Sequence, residues 1–158
     1  MAKRYDINPN TVLIAGTAVF GLILARKVLI QFGILGGRGA AIVQSQQQNP
    51  QSPWKPSFYK RAGATLLTRA TAENYAKRIY DALNWYADDT AAVNGVFSAL
   101  KTQSQVSFLA EVFNQKYNAD LLTYLSEGSD TFPWNGLGDN ELLKITNLVN
   151  NLPQYKPR

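Results

Sequence analysis

An all-α protein is what this sequence predicts: an N-terminal transmembrane helix, an extended Gln/Pro-rich linker and a compact five-helix bundle. Three observations carry that expectation. Residues 11–25 read TVLIAGTAVFGLILA without a charge. Beyond Thr65 apolar residues recur at helical spacing, with capping residues between the runs. No stretch alternates apolar and polar residues as a half-buried strand does.

The first element is the apolar run Thr11–Ala25, with an extension to Leu35. As a helix it spans roughly 22 Å, against a hydrocarbon core of roughly 30 Å. It is apolar on every side rather than on one face, which separates it from an ordinary surface helix. Lys3 and Arg4 flank it on one side, Arg26 and Lys27 on the other. The latter pair would snorkel to headgroups. Thr17, Gly21 and Ala25 recur every fourth residue, a small-residue stripe of the kind that lets membrane helices approach closely, and Phe20 lies in the middle of the span. No small-x-small cleavage site follows, so the segment is expected to be retained. Residues 1–35 thus read as a membrane anchor. The basic residues that follow it favour the remainder of the chain on the cytoplasmic or interior side.

Residues 36–64 are expected to form an extended connector. Gly36, Gly37 and Gly39 end helical order, and QSQQQNPQSPWKP over 44–56 has no apolar period. Pro50, Pro53 and Pro56 suggest a polyproline-like path. Trp54, Phe58 and Tyr59 stand out in this polar stretch as interfacial anchors or as contacts for a partner.

The bundle is expected over 65–152. Tyr75, Ile79, Ala82, Leu83 and Tyr86 form one stripe. Asp88-Asp89 offers an N-cap for a helix bearing Val93, Val96, Phe97 and Leu100. Thr102–Gln105 fits a capping box before Val106, Leu109, Phe113 and Tyr117. Asp120 starts a short helix through Leu121, Leu122 and Leu125. After the loop SEGSDTFPWNGLG, Asp139 opens a last helix with Leu142, Leu143, Ile145, Leu148, Val149 and Leu152. Pro153 ends it, leaving 153–158 as a tail.

Composition narrows the chemistry. The chain has neither cysteine nor histidine, which removes disulfides, thiolate metal sites, zinc chemistry and the usual general base. Eight of the sixteen basic residues lie in 1–61 against Asp6 alone, so that part carries +7, while 62–158 carries −2. Basic residues flanking an apolar segment suit anionic lipid rather than nucleic acid. Asp88, Asp89, Glu127 and Asp130 are the acidic cluster to weigh. Their oxygens suit a hard cation such as calcium, and capping of helices by the aspartates is the plainer use. A paired-carboxylate glycosidase would need a groove this small bundle has little room for. Trp85-Tyr86 and Phe132-Pro133-Trp134 fall in two loops, either as a contact for a protein partner or as a small core over the helix ends.

The order of five helices resembles an annexin repeat. The residues that carry the likeness run from Tyr80-Asp81-Ala82-Leu83 through Asp88-Asp89, Gln103–Gln105, Tyr117, Asp120-Leu121-Leu122 and Leu125. It covers roughly residues 72–152. In annexins the first interhelical loop carries a glycine-bearing calcium motif, completed by an acid about forty positions on. Here the loop reads LNWYADDT without glycine, and Glu127 stands near the distant acid. The phrases VFSALKTQSQVSFLAEVFNQKYNADLLTYL and ELLKITNLVNNLPQY are also similar to proteins of phages and mobile elements of Bacteroidetes-type bacteria.

Together these readings lead us to expect a non-enzymatic, single-pass membrane protein with no cofactor, no nucleic acid and no small-molecule substrate. Its expected partners are a lipid bilayer, in a virion or a bacterial inner membrane, and a protein of a larger assembly such as a viral capsid shell. The contact residues would be Trp54, Trp85, Tyr86 and Trp134. The alternative is an annexin-like calcium- or lipid-binding module using Asp88, Asp89 and Glu127.

Overall fold

The computed structural model describes residues 38–60, 67–84, 89–128 and 136–154. The chain divides at Gly37–Arg38, and the second unit, Arg38–Arg158, holds every described residue. The expected span and its residues Thr17, Phe20, Gly21, Ala25, Arg26 and Lys27 lie outside the described residues. Among the described residues no helix is long and apolar enough to cross a membrane.

Unit two is all-helical among its described residues: α1 (Arg38–Gln48), a 3-10 turn (Phe58–Lys60), α2 (Arg69–Leu83), α3 (Thr90–Ala99), α4 (Gln103–Tyr117), α5 (Leu121–Glu127) and α6 (Asp139–Asn151). The five helices expected beyond Thr65 are α2 to α6, and local chemistry explains their limits. Thr68, Asp89, Thr102 and Asp120 each accept a hydrogen bond from the backbone N–H three residues on, satisfying a donor that a helix start leaves unpaired. Gln105 reaches back to the Lys101 N–H at 2.8 Å, so the capping pair of α4 is nearly reciprocal. Asn118 ends α4 in the left-handed region at φ 52°, which asparagine tolerates better than most side chains. α6 begins after Gly138 without a side-chain cap, and Asp139 and Glu141 in its first turn suit the positive end of the helix dipole.

α4 is the centre. It packs against α2, α5, α6 and the 3-10 turn, while α3 bridges α2 and α6, and α1 lies on α5 and α6. Its first half is buried nearly all round, including the polar Ser104, Gln105 and Ser107. Such a turn needs partners for its polar groups. The tail supplies them: the carbonyls of Pro153 and Gln154 accept from Gln103 N at 2.9 Å and Ser104 N at 3.3 Å. Gln103 Nε2 also donates to the Asn150 carbonyl at 3.1 Å. Residues 153–154 therefore belong to the folded unit rather than to a free tail. The core is formed by Ile79, Leu83, Phe97, Leu109, Phe113, Leu121, Leu122, Leu125, Leu142 and Ile145, among others. Leu143, expected on the apolar stripe of α6, instead faces out.

The connector expected over 36–64 is not extended where it is described. Residues 38–48 are helical, and residues 49–58 form three chained turns. Their backbone bonds run Ser52 N to Asn49 O, Lys55 N to Ser52 O and Phe58 N to Lys55 O, at 3.1, 3.1 and 3.0 Å. Pro50, Pro53 and Pro56 each take the second position of one turn, where a fixed φ favours turning as much as it favours a polyproline path. What selects the turns is burial: Trp54 and Phe58 retain 2% and 1% of their exposure.

Candidate functional site

The residues singled out by the sequence separate into those the bundle consumes and those its loops carry. Trp54 belongs to the first group. Its ring meets Phe97 of α3 at 5.5 Å between centroids, and it is buried in the core cluster. A side chain this covered is unavailable to a partner, so Trp54 is removed from the expected contact set. Its indole Nε1 is buried without a hydrogen-bond acceptor, an unpaired donor that subtracts from the benefit of burying the ring.

Ser107 on α4 holds the same segment in place. Its hydroxyl donates to the Lys55 carbonyl and accepts from Tyr59 N at 3.0 Å. The Ser52 hydroxyl donates to Gln46 Oε1 at 2.8 Å. Beside this clasp, Tyr59 packs edge-on to Phe108, and Lys60 pairs with Glu111 at 3.5 Å. The Tyr59 phenol is pushed up to about 12, first by its hydrogen bond to Glu111, then by burial and by the Glu111 charge.

A second cluster joins α2, α4 and α5. Tyr80 and Tyr117 stack at 4.0 Å, and Tyr124 and Phe113 close the group. The Tyr124 hydroxyl donates to the Tyr80 carbonyl at 3.0 Å. Burial raises Tyr124 and Tyr117, with nearby charge and neighbouring phenols adding to it. All three tyrosine shifts hold the phenol neutral, the opposite of what activates a tyrosine as a base or nucleophile. These groups fix helices together.

The Tyr80–Tyr124 bond also bears on the loops. Tyr80 lies one turn before the end of α2 and Tyr124 one turn before the end of α5, so the bond ties the last turns of the two helices that precede residues 85–88 and 129–135. Trp85, Tyr86 and Trp134 themselves lie outside the described residues, as do Asp88 and Asp130. Asp89 is the cap of α3, its Oδ1 accepting from Ala92 N at 2.9 Å. Glu127 is half-buried in the last turn of α5. Among the described residues no group of three carboxylates is gathered closely enough to hold a metal ion.

The sequence reading missed Ser107, Ser52 and Gln46. The signal was present: small polar residues in the apolar first half of α4, opposite a turn-rich segment holding two aromatics. Compared with protein-family models, curated proteins and solved structures, the chain matches none.

Proposed function

We propose that the protein is a non-enzymatic adapter, in which the apolar segment at residues 11–35 sits in a bilayer and the helical unit docks on a protein assembly. The observation that carries the reading is the fifteen-residue uncharged run between two pairs of basic residues, upstream of a unit that begins at Arg38 and closes its own core. An apolar run of this kind suits a bilayer, and the basic pairs flanking it suit the headgroups. Among the described residues Leu143 alone is a large exposed hydrophobic, which leaves docking to the aromatics at 85–86 and 132–134. The similarity to phage-associated proteins gives the assembly its most specific form, the shell of a virion with an internal membrane. The annexin-like alternative, with calcium at Asp88, Asp89 and Glu127, is weakened by the engagement of Asp89 as a cap and by a loop without glycine.

One experiment addresses both ends. The chain and its variants are floated with anionic vesicles and co-purified from the native assembly. Phe20→Asp should abolish flotation, at about 2.5–3.5 kcal/mol for a charge in a span. Trp85→Ala and Trp134→Ala should still float yet lose the assembly by about thirtyfold, or ~2 kcal/mol each. A wild-type chain that stays out of the vesicle fraction refutes the anchor. Tryptophan variants that unfold, or that stay assembled, refute the docking face. A rise of several degrees in melting temperature on adding millimolar calcium, lost in Glu127→Ala, would put the annexin-like reading first.

A further inference from the structure

The two parts of residues 38–60 hold the bundle in different ways. α1 reads RGAAIVQSQQQ, and among its described side chains no large apolar one is fully buried; Gly39 is covered and Ile42 and Val43 are half-covered. Its ties to the helices are the Gly39 N–H to Asp139 Oδ1 at 2.9 Å, the Gln47 amide to the Thr123 hydroxyl at 3.0 Å and the packing of Val43 on the core; near its C-terminal end Gln46 Oε1 also accepts from the Ser52 hydroxyl at 2.8 Å, the bond at which unwinding meets the clasp. It has no acid of its own in its first turn and no base in its last, so the only carboxylate shown at its positive end is Asp139 of α6, held through the single Gly39 N–H. Eleven residues is also below the length of about 12–15 at which a helix holds by itself in water. Residues 52–60, by contrast, bury Trp54 and Phe58 and take both hydrogen bonds of Ser107.

We infer that α1 is a releasable strap. It leaves the α5–α6 face and unwinds while the Trp54–Phe58 clasp and helices α2 to α6 remain folded. Release starts at Gly39, where close approach to α6 is possible because there is no side chain: a Cβ there would lie 2.8 Å from Asp139 Oδ1 and 3.4 Å from Leu142 Cδ2 and Ser126 Oγ. It stops at the clasp, whose aromatic rings are anchored in the core. Unwinding takes α1 from about 16 Å as a helix to about 36 Å extended, lengthening the chain by about 20 Å. The use of that length rests on the adapter reading: a tether between bilayer and assembly gains a compliant element that yields before the domain does. The opening itself is a property of the bundle.

Hydrogen exchange read by mass spectrometry on the full chain in detergent micelles tests it. Amides of 38–48 should exchange at least about a hundredfold faster than those of α4, because they open without global unfolding. Gly39→Val and Gln47→Ala should each accelerate 38–48 further, with 52–60, α4 and the melting midpoint unchanged. Gln47→Ala carries the test if the valine variant fails to fold. The inference is overturned if 38–48 exchanges in step with α4, or if these variants deprotect 52–60 as well. Flotation of the same sample separates the two readings. A chain that opens α1 but does not float overturns the adapter and the spacer use. One that floats with α1 as protected as α4 overturns the strap alone.

Discussion

Cutting the chain at residue 65, where the helical periodicity begins, should leave a fragment that does not fold, whereas 38–158 should fold cooperatively. The fragment 65–158 lacks Trp54 and Phe58, both nearly fully buried. Deleting a buried Phe or Trp side chain costs about 3–5 kcal/mol, so the pair accounts for about 6–10 kcal/mol. Ser107 in addition loses the Lys55 carbonyl and the Tyr59 amide, leaving a buried hydroxyl to find new partners at about 1–3 kcal/mol. A domain of this size has about 5–15 kcal/mol in total. The loss therefore equals most or all of the stability. Urea and thermal melts followed by far- and near-ultraviolet circular dichroism compare the two fragments. If 65–158 melts in one cooperative transition with the urea midpoint of 38–158, Trp54 and Phe58 do not belong to the core and the turn segment is a surface appendage.

Three smaller perturbations separate the forces at work. Trp54→Phe should lie within about 1 kcal/mol of wild type in urea melts, because the lost ring volume is offset by removal of an unpaired buried N–H, while Trp54→Ala should cost about 3–5 kcal/mol. Tyr59 has its folded pKa raised to about 12 from 10, so the unfolded chain releases this proton first and stability falls as pH rises from 10 to 12. Tyr59→Phe should make that alkaline decline shallower, and an unchanged alkaline midpoint would refute the Tyr59–Glu111 hydrogen bond as its source. Gly136→Ala should destabilise by about 1–3 kcal/mol in thermal melts, because a Cβ there would collide with the Ser126 carbonyl and backbone must move.

How far the sequence foretold this depends on whether a feature is local. The caps Asp89, Thr102 and Asp120 were legible because each side chain acts on a backbone group three residues away, and the stripe Ile79–Ala82–Leu83 because one helix face carries it. Residues 38–60 were misread for the opposite reason. Proline at every third position fits a polyproline path and a chain of turns equally well. What decides between them is the contact of Trp54 with Phe97 and of residues 55–59 with Ser107, partners some forty to fifty positions away. α1 has too few apolar residues to announce a buried face. The loops at 85–86 and 132–134 keep their sequence-based status, since Trp85, Tyr86 and Trp134 lie outside the described residues.

The carbonyls of Pro153 and Gln154 on the first turn of α4 also set a timetable for biosynthesis. Translation runs from the N-terminus, so α4 leaves the ribosome well before residue 154. Until that residue is clear of the exit tunnel, the hydrogen bonds from Gln103 N and Ser104 N to the Pro153 and Gln154 carbonyls cannot form, and the polar turn they help to enclose stays open. Closing that contact joins positions about fifty residues apart, a loop whose entropy must be overcome before the contact is gained. The start of α4 is thus enclosed late, only once the turn that follows α6 has emerged.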